Sequence, residues 1–177
     1  EEGLEIWLQA TIRALMELKS CDAEEATRLM AEYENKNLST KEFYGELQKL
    51  LGDRLLVDKT PTYPFDPAIL NRMEADFKDA HYIHLVRHPY AMIYSFVEAK
   101  LDQNFFRYEH NFTRRELAEL IWIISNQNIL DFLQSVPAER QRRVRFEDVL
   151  INPQAELENI CQFLGIEFQP AMLEPYK

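Results

Sequence analysis

The chain has 177 residues, of which 46% are hydrophobic and 12% aromatic, enough apolar material for the core of one globular domain. Its net charge of −10 at pH 7 and its pI near 4.9 oppose sequence-independent binding to nucleic acid or to an anionic membrane, so a phosphorylated ligand would need a local cluster of basic groups. Cys21 and Cys161 are far apart, and the longest apolar run, residues 120–124, is too short to cross a bilayer, which predicts a cytoplasmic protein without disulfides.

The N-terminal third has the pattern of three helices. Apolar residues between Ile6 and Leu18 recur at helical spacing, and a second run covers residues 23–34 without an internal Gly or Pro. Residues 39–42, Ser-Thr-Lys-Glu, form a capping box that opens a third helix, and Gly52 suits its C-terminal end. We expect these helices to form an extra cover on the domain.

The centre of the chain alternates between strand-like and helix-like segments. Leu55-Leu56-Val57 predicts a first strand, and Asp66-Pro67 predicts a helix start after a proline-marked turn. Residues 81–86 are rich in β-forming side chains and predict a second strand, which ends at Arg87-His88-Pro89 before a helix over residues 90–101.

The last third continues the alternation. Residues 113–116, Thr-Arg-Arg-Glu, form a second capping box that opens a helix reaching about Leu133. Residues 144–146 predict a third strand, and residues 153–164 predict a final helix ended by Gly165. Strands separated by helices favour parallel pairing, so we predict an α/β fold of three layers, with helices on both faces of a parallel sheet.

Ligands of such folds gather at the carboxyl ends of the strands, where Arg87 is the first candidate. The helix after it offers free N–H groups and a positive dipole end, and Ser95 lies on a helical face from which its hydroxyl can point back toward Arg87. One phosphate could then be held by both. The alternative is that Arg87 pairs with a carboxylate and that Ser95 bonds a backbone carbonyl.

Lys59 is the second candidate, in the turn after the first predicted strand. Its ammonium group precedes Pro61, which stiffens the turn, and could neutralise charge that develops on a transferred group. The alternative is an ordinary surface pair with Asp58 or a glutamate. His81 and His84 would lie on opposite faces of a strand, so we expect no metal site.

Four segments, in this order, resemble the superfamily of sulfotransferases that use 3'-phosphoadenosine 5'-phosphosulfate (PAPS). They are the turn Asp58-Lys59-Thr60-Pro61, the strand end Arg87-His88-Pro89 with Ser95 eight residues after the arginine, the element Arg145-Phe146-Glu147-Asp148-Val149, and the helix from Asn152-Pro153 to Phe163-Leu164-Gly165-Ile166. Residues 82–91 are especially similar to sulfotransferase domains embedded in bacterial, particularly cyanobacterial, polyketide and olefin synthases.

The resemblance implies a P-loop-like fold and a role for each matching residue. Arg87 and Ser95 would bind the 3'-phosphate of the nucleotide, and Lys59 would lie near the sulfonate or its bridging oxygen. Phe146 stands where some cytosolic relatives have a tyrosine that helps to hold adenine, and it offers an apolar face without a hydroxyl.

Two family features are missing from the sequence. The 5'-phosphosulfate loop of the family is rich in Gly, Ser and Thr, and no such segment occurs here, so we expect residues 1–177 to be a single sulfotransferase domain without that loop and without a C-terminal segment. Cytosolic relatives have a histidine two residues after the lysine, where this chain has Pro61. No general base is assigned, and His84 and His88 remain weaker alternatives.

The resemblance implies transfer of the sulfonyl group from PAPS to a hydroxyl without a metal. For the synthase-embedded domains, the acceptor would be the 3-hydroxyl of an acyl chain on an acyl carrier protein. An acidic carrier protein would need a basic docking patch, for which the cluster of Arg140, Arg142 and Arg143 is the candidate, unless that cluster is only a solvated edge. We expect Trp122 and the isoleucines around it to be core residues of their helix.

Two other functions stay open at this point. The chain could be a non-catalytic nucleotide-binding or carrier-docking fragment of such an enzyme, because the 5'-phosphate loop is missing. A nucleotide or small-molecule kinase is the second alternative, and the absence of a Gly-x-x-x-x-Gly-Lys motif argues against it.

Overall fold

The computed structural model describes residues 2–105 and 109–174, with the backbone alone for residues 2–8 and 104–105. The chain forms two compact units, Glu1–Lys59 and Thr60–Lys177. Within the described residues, every helix is too short or too polar to span a bilayer.

The first unit contains three helices: α1 (Glu2–Lys19), α2 (Ala23–Asn35) and α3 (Thr40–Leu51). The starts of α2 and α3 are fixed by side chains that accept hydrogen bonds from free backbone N–H groups. The Asp22 carboxylate caps α2, and Ser39 and Glu42 form the reciprocal capping box of α3. These helices confirm the predicted pattern, and Gly52 ends α3 with a φ of 62°.

The core of the first unit lies where the three helices meet. Leu15 of α1 and Ala26 of α2 are fully buried, and Met30 and Leu47 join them. Leu56, after α3, packs against this cluster. The unit therefore buries an apolar cluster drawn from each of its helices.

The strand predicted at residues 55–57 is wrong. The sheet that the structure describes has two strands, and this segment belongs to neither. Leu55 and Val57 are 48% and 73% exposed. A strand is stabilised by hydrogen bonds to a neighbouring strand, and no described segment pairs with residues 55–57.

The second unit carries the sheet and its helices. The elements are α4 (Pro67–Asp76), β1 (Tyr82–Val86), α5 (Pro89–Glu98), α6 (Asp102–Phe105), α7 (Arg114–Leu133), β2 (Gln141–Arg145), α8 (Phe146–Ile151) and α9 (Pro153–Leu164). Thr113 and Glu116 form the capping box of α7, and Gly165 ends α9 in the left-handed conformation. The starts of α4, α7 and α9 agree with the sequence prediction.

β1 and β2 pair in parallel, with Tyr82 opposite Gln141 and Val86 opposite Arg145. The predicted α/β class with a parallel sheet is confirmed. The third strand was predicted at residues 144–146, but β2 already begins at Gln141. Arg142 and Arg143 were interpreted as a solvated edge before the strand, although both lie within it. Phe146 is the first residue of α8 and not part of β2.

A buried histidine connects β1 to α7. His84 is 6% exposed, and its Nε2 lies 2.9 Å from Oδ1 of Asn126, whose amide nitrogen donates to the Trp122 carbonyl. Because that Asn126 oxygen can only accept, Nε2 of His84 is the donor in this hydrogen bond. Burial, reinforced by the charge of Arg143, lowers the pKa of His84 below its ordinary value, although the Asn126 hydrogen bond acts in the opposite direction.

This pKa shift predicts loss of stability in acid. The unfolded chain takes up the His84 proton first as pH falls, so the contribution is fully present above the ordinary pKa of 6.5 and is lost as pH drops toward the lower folded-state value. His84→Gln retains an amide donor for Asn126 but does not titrate. We expect the free energy of urea unfolding to decrease more in the native chain than in His84→Gln between about pH 8 and about pH 5. Equal decreases would show that His84 does not carry this pH dependence.

Candidate active site

The loop between β1 and α5 is held from two sides. Nε1 of Trp122 on α7 donates a 2.9 Å hydrogen bond to the Arg87 carbonyl, and the His88 N–H donates to Oε1 of Glu147 on α8, also at 2.9 Å. Pro89 starts α5 and has no N–H to satisfy. The hydrogen bond from the His88 backbone is the main cause that lowers the pKa of Glu147, so this carboxylate is ionised at neutral pH. The conformation at the start of α5 is therefore fixed by α7 and α8.

The Arg87 side chain lies against an aromatic ring. Its guanidinium carbon is 4.9 Å from the ring centroid of Phe146, a cation–π distance. Nε of Arg87 is buried without a hydrogen-bond partner among the described residues, and no described carboxylate forms an ion pair with it. The carboxylate pair considered as an alternative is thus not observed, and the guanidinium keeps N–H groups for a ligand.

Ser95 lies two turns into α5, on the helix that starts beside Arg87. Its side chain is half-buried, and its hydroxyl makes no hydrogen bond to any described residue. The Ser95 carbonyl accepts the Ala99 N–H as an ordinary helical bond. The alternative in which this hydroxyl bonds a backbone carbonyl is not observed either.

Lys59 is the last residue of the first unit, whereas Arg87, Ser95 and Phe146 all belong to the second. Its side chain is exposed and forms no ion pair with the described part of the chain. The neighbouring Asp58 accepts a 2.7 Å hydrogen bond from the Tyr44 hydroxyl. The surface pair that was the alternative for Lys59, with Asp58 or a glutamate, is not observed among the described residues.

The basic cluster predicted at Arg140, Arg142 and Arg143 is only partly exposed, which corrects its description as one patch. Arg140 forms a two-pronged ion pair with Glu74, donates to the Ala80 carbonyl at 3.0 Å, and has a side chain only 16% exposed. That pair is the main cause that lowers the pKa of Glu74. Arg142 is half-buried, and Arg143 is exposed. No sequence signal relates Arg140 to a glutamate 66 positions earlier.

The histidines differ in their access to solvent. His84 is buried beneath α7, which argues against a role in proton transfer to a substrate. His88 is exposed beside Arg87, with its ring 5.5 Å from that of Tyr90. His81 contacts the Phe163 ring. Among the described residues, no group of three or more His, Cys, Asp or Glu side chains gathers to hold a metal ion.

Comparisons with known proteins agree with these features. A family model described as "Sulfotransferase family" matches residues 4–170. The solved "Sulfotransferase Domain from the Curacin Biosynthetic Pathway" is 43% identical with a TM-score of 0.87, and the match covers 94% of this chain and 58% of that one. The "Sulfotransferase Domain from the Synechococcus PCC 7002 Olefin Synthase" is 40% identical with a TM-score of 0.84, covering 94% and 57%.

Among curated proteins, none matches the chain significantly. The chain spans less than three fifths of the two solved domains to which it is similar. The family model and the two structures confirm the family suggested by the four sequence motifs and the likeness to synthase-embedded domains. With nearly its whole length matched by one family model and by two solved sulfotransferase domains, the chain belongs to the sulfotransferase family.

Proposed function

We propose that this chain is the nucleotide 3'-phosphate-binding and acceptor-side portion of an enzyme that transfers the sulfonyl group of PAPS to a hydroxyl. The observation that carries the proposal is Arg87, which lies at the end of β1 and the start of α5 and stacks on Phe146 without a carboxylate partner among the described residues. In a chain with a net charge of −10, such a local positive site is what an anionic nucleotide requires.

Three groups would hold the 3'-phosphate. The Arg87 guanidinium supplies charge-assisted hydrogen bonds, and the Ser95 hydroxyl supplies a neutral one. The His88 N–H is already bonded to Glu147 and Pro89 has no N–H, so the first free backbone donor of α5 is that of Tyr90. The proposed phosphate site therefore relies on the two side chains and the first turn of α5.

Phe146 would have two functions. Its ring holds the planar guanidinium of Arg87 in one orientation, which lowers the entropy lost when phosphate binds. The same apolar side chain can contact adenine by stacking or edge packing, but it cannot donate a hydrogen bond to the base. We propose that it orients the arginine and adds apolar contact to the nucleotide.

The proposed reaction is an in-line displacement at sulfur. The acceptor oxygen forms a bond to sulfur while the bond between sulfur and the phosphate-side oxygen breaks, so 3'-phosphoadenosine 5'-phosphate leaves with that oxygen. The proton of the acceptor hydroxyl passes to a base that we do not assign to a residue. Lys59 would stabilise the negative charge that grows on the leaving oxygen.

The proposed acceptor is the 3-hydroxyl of an acyl chain carried by an acyl carrier protein. The support is the similarity to sulfotransferase domains from a biosynthetic pathway and from an olefin synthase. Sulfation makes the acceptor oxygen a good leaving group for a later elimination. A non-catalytic fragment is the second candidate, because this chain spans 58% or less of those domains and has no Gly/Ser/Thr-rich loop.

The first prediction concerns Arg87. In the full-length protein that contains this chain, Arg87→Ala should weaken binding of 3'-phosphoadenosine 5'-phosphate by roughly 10- to 100-fold, the loss expected for hydrogen bonds to a charged group. Calorimetry measures this directly, with adenosine 5'-phosphate as the ligand without a 3'-phosphate. Arg115→Ala, which changes an exposed arginine paired with Glu119, is the matched control and should leave affinity unchanged. Equal affinity for the two nucleotides would contradict the assignment.

The second prediction concerns Lys59. Lys59→Ala should lower the single-turnover rate by about 100-fold or more while changing nucleotide affinity much less, because its charge acts mainly in the transition state. Lys49→Ala is the control, since Lys49 is an exposed lysine paired with Glu46 at 2.6 Å. A rate equal to that of the control variant would return Lys59 to the class of surface lysines.

The third prediction concerns delivery of the acceptor. We expect kcat/KM to be higher for a 3-hydroxyacyl group on its carrier protein than on a pantetheine mimic, and to fall as salt screens the contact. Arg143→Glu together with Arg145→Glu should slow the carrier reaction, because both side chains are exposed on β2. Arg28→Glu together with Arg115→Glu makes the same charge change at two other exposed arginines. Equal use of carrier and mimic, with no effect of the β2 reversals, would exclude delivery through this strand.

A further inference from the structure

The N-terminal half of α7 carries a row of apolar side chains, two of which are exposed. Leu117, Leu120, Ile121 and Ile124 follow the i, i+3, i+4, i+7 spacing of a single helical face. Leu117 is buried, but Leu120 and Ile124 are 38% and 45% exposed. The expectation that the isoleucines around Trp122 are core residues is therefore wrong for Ile124, and also for Ile123, which is 57% exposed. Apolar side chains aligned on one exposed face indicate a binding surface for an apolar ligand or partner.

This face forms one wall of a cavity of about 320 Å³ in the second unit. Phe65 and Phe112 form other parts of the wall, and we call the cavity the α7 pocket. Its volume is at the lower end of the range for small-molecule sites. Among the described residues that line it, His110 is the polar one, and its ring lies 6.3 Å from that of Phe112. A sugar, a nucleotide or a charged group would lose more hydration here than one polar side chain can replace, whereas a hydrocarbon chain needs no polar partner.

The α7 pocket is tied to the proposed nucleotide loop through the same helix. Trp122, the residue after Ile121 in the pocket wall, donates to the Arg87 carbonyl at 2.9 Å. On the other side, Asn128 of α7 donates a 2.8 Å hydrogen bond to the Pro64 carbonyl, which fixes the segment that presents Phe65. Ile121 thus lines the pocket, and the adjacent Trp122 holds the loop that would bind nucleotide.

We infer that the α7 pocket binds the hydrocarbon part of the acceptor and so selects acceptors by chain length. The inference rests on the proposed sulfotransfer reaction and adds the site of the acceptor's apolar end. A partly open pocket with aromatic and aliphatic walls fits a flexible chain better than it fits a flat protein surface. At about 30 Å³ for each methylene, close to the volume of a water molecule, the pocket holds roughly ten carbons.

The test is a series of 3-hydroxyacyl pantetheine acceptors of increasing length, assayed with the full-length protein. Each added methylene should raise kcat/KM by about fourfold until the pocket is full, after which the gain stops. Leu120→Trp should fill the pocket from a partly exposed position, reduce kcat/KM for the long acceptors by at least about tenfold, and leave the shortest acceptor unchanged. Ile123→Trp is the matched control, because Ile123 lies on the same helix, is exposed and does not line the pocket.

A binding measurement separates this inference from the proposed function. Calorimetric titration of the same pantetheine series, without PAPS, should show affinity that rises with chain length and that Leu120→Trp removes. Affinity for 3'-phosphoadenosine 5'-phosphate should be the same in Leu120→Trp and the native protein, which shows that the variant is folded. Sulfation without any chain-length dependence would overturn the pocket inference and leave the proposed reaction in place. Chain-length-dependent binding without turnover of any acceptor would overturn the proposed reaction and the pocket's role as an acceptor site, but not its affinity for hydrocarbon.

Discussion

The parallel pairing of β1 with β2 is the constraint on which the candidate site depends. Val86 and Arg145, the last residues of β1 and β2, are opposite each other. The residues that follow them, Arg87 and Phe146, therefore leave the sheet at the same edge. The cation–π contact follows from this register. A shift of one residue would turn each side chain of one strand to the opposite face and would separate the guanidinium from the ring.

α7 provides the second constraint, through polar side chains that reach three different segments. Trp122 bonds the Arg87 carbonyl, Asn126 bonds His84 in β1, and Asn128 bonds the Pro64 carbonyl. Each bond satisfies a polar group that packing would otherwise leave without a partner, so the set favours one placement of the helix. Aliphatic residues of the same helix, Leu120, Ile123 and Ile124, remain exposed, so α7 is not a simple core helix.

The accuracy of the sequence predictions depended on how local each cause is. The capping box at Ser39 and Glu42 lies within four residues, so the start of α3 could be predicted. The strand at residues 55–57 could not be judged locally, because a strand depends on a partner elsewhere in the chain. The prediction of Arg140 as part of an exposed basic cluster failed for the same reason, because its partner Glu74 is distant in sequence. At the candidate site, the motif identified Arg87, but its ring contact and the two bonds that hold its loop became visible only in the folded chain.

Arg87 has no described carboxylate partner in a chain whose acidic residues outnumber its basic ones. There are 30 acidic and 20 basic residues, so a carboxylate is available to most arginines, and Arg140 with Glu74 shows such a pair half-buried. Arg87 is held instead against Phe146 with its Nε buried and unpaired, an arrangement that costs stability in the absence of a ligand. Glu147, the carboxylate that its sequence position brings near, is engaged by the His88 N–H. Because this carboxylate accepts a backbone hydrogen bond and forms no described ion pair with Arg87, the guanidinium remains without a described counter-charge, as the proposed anion site requires.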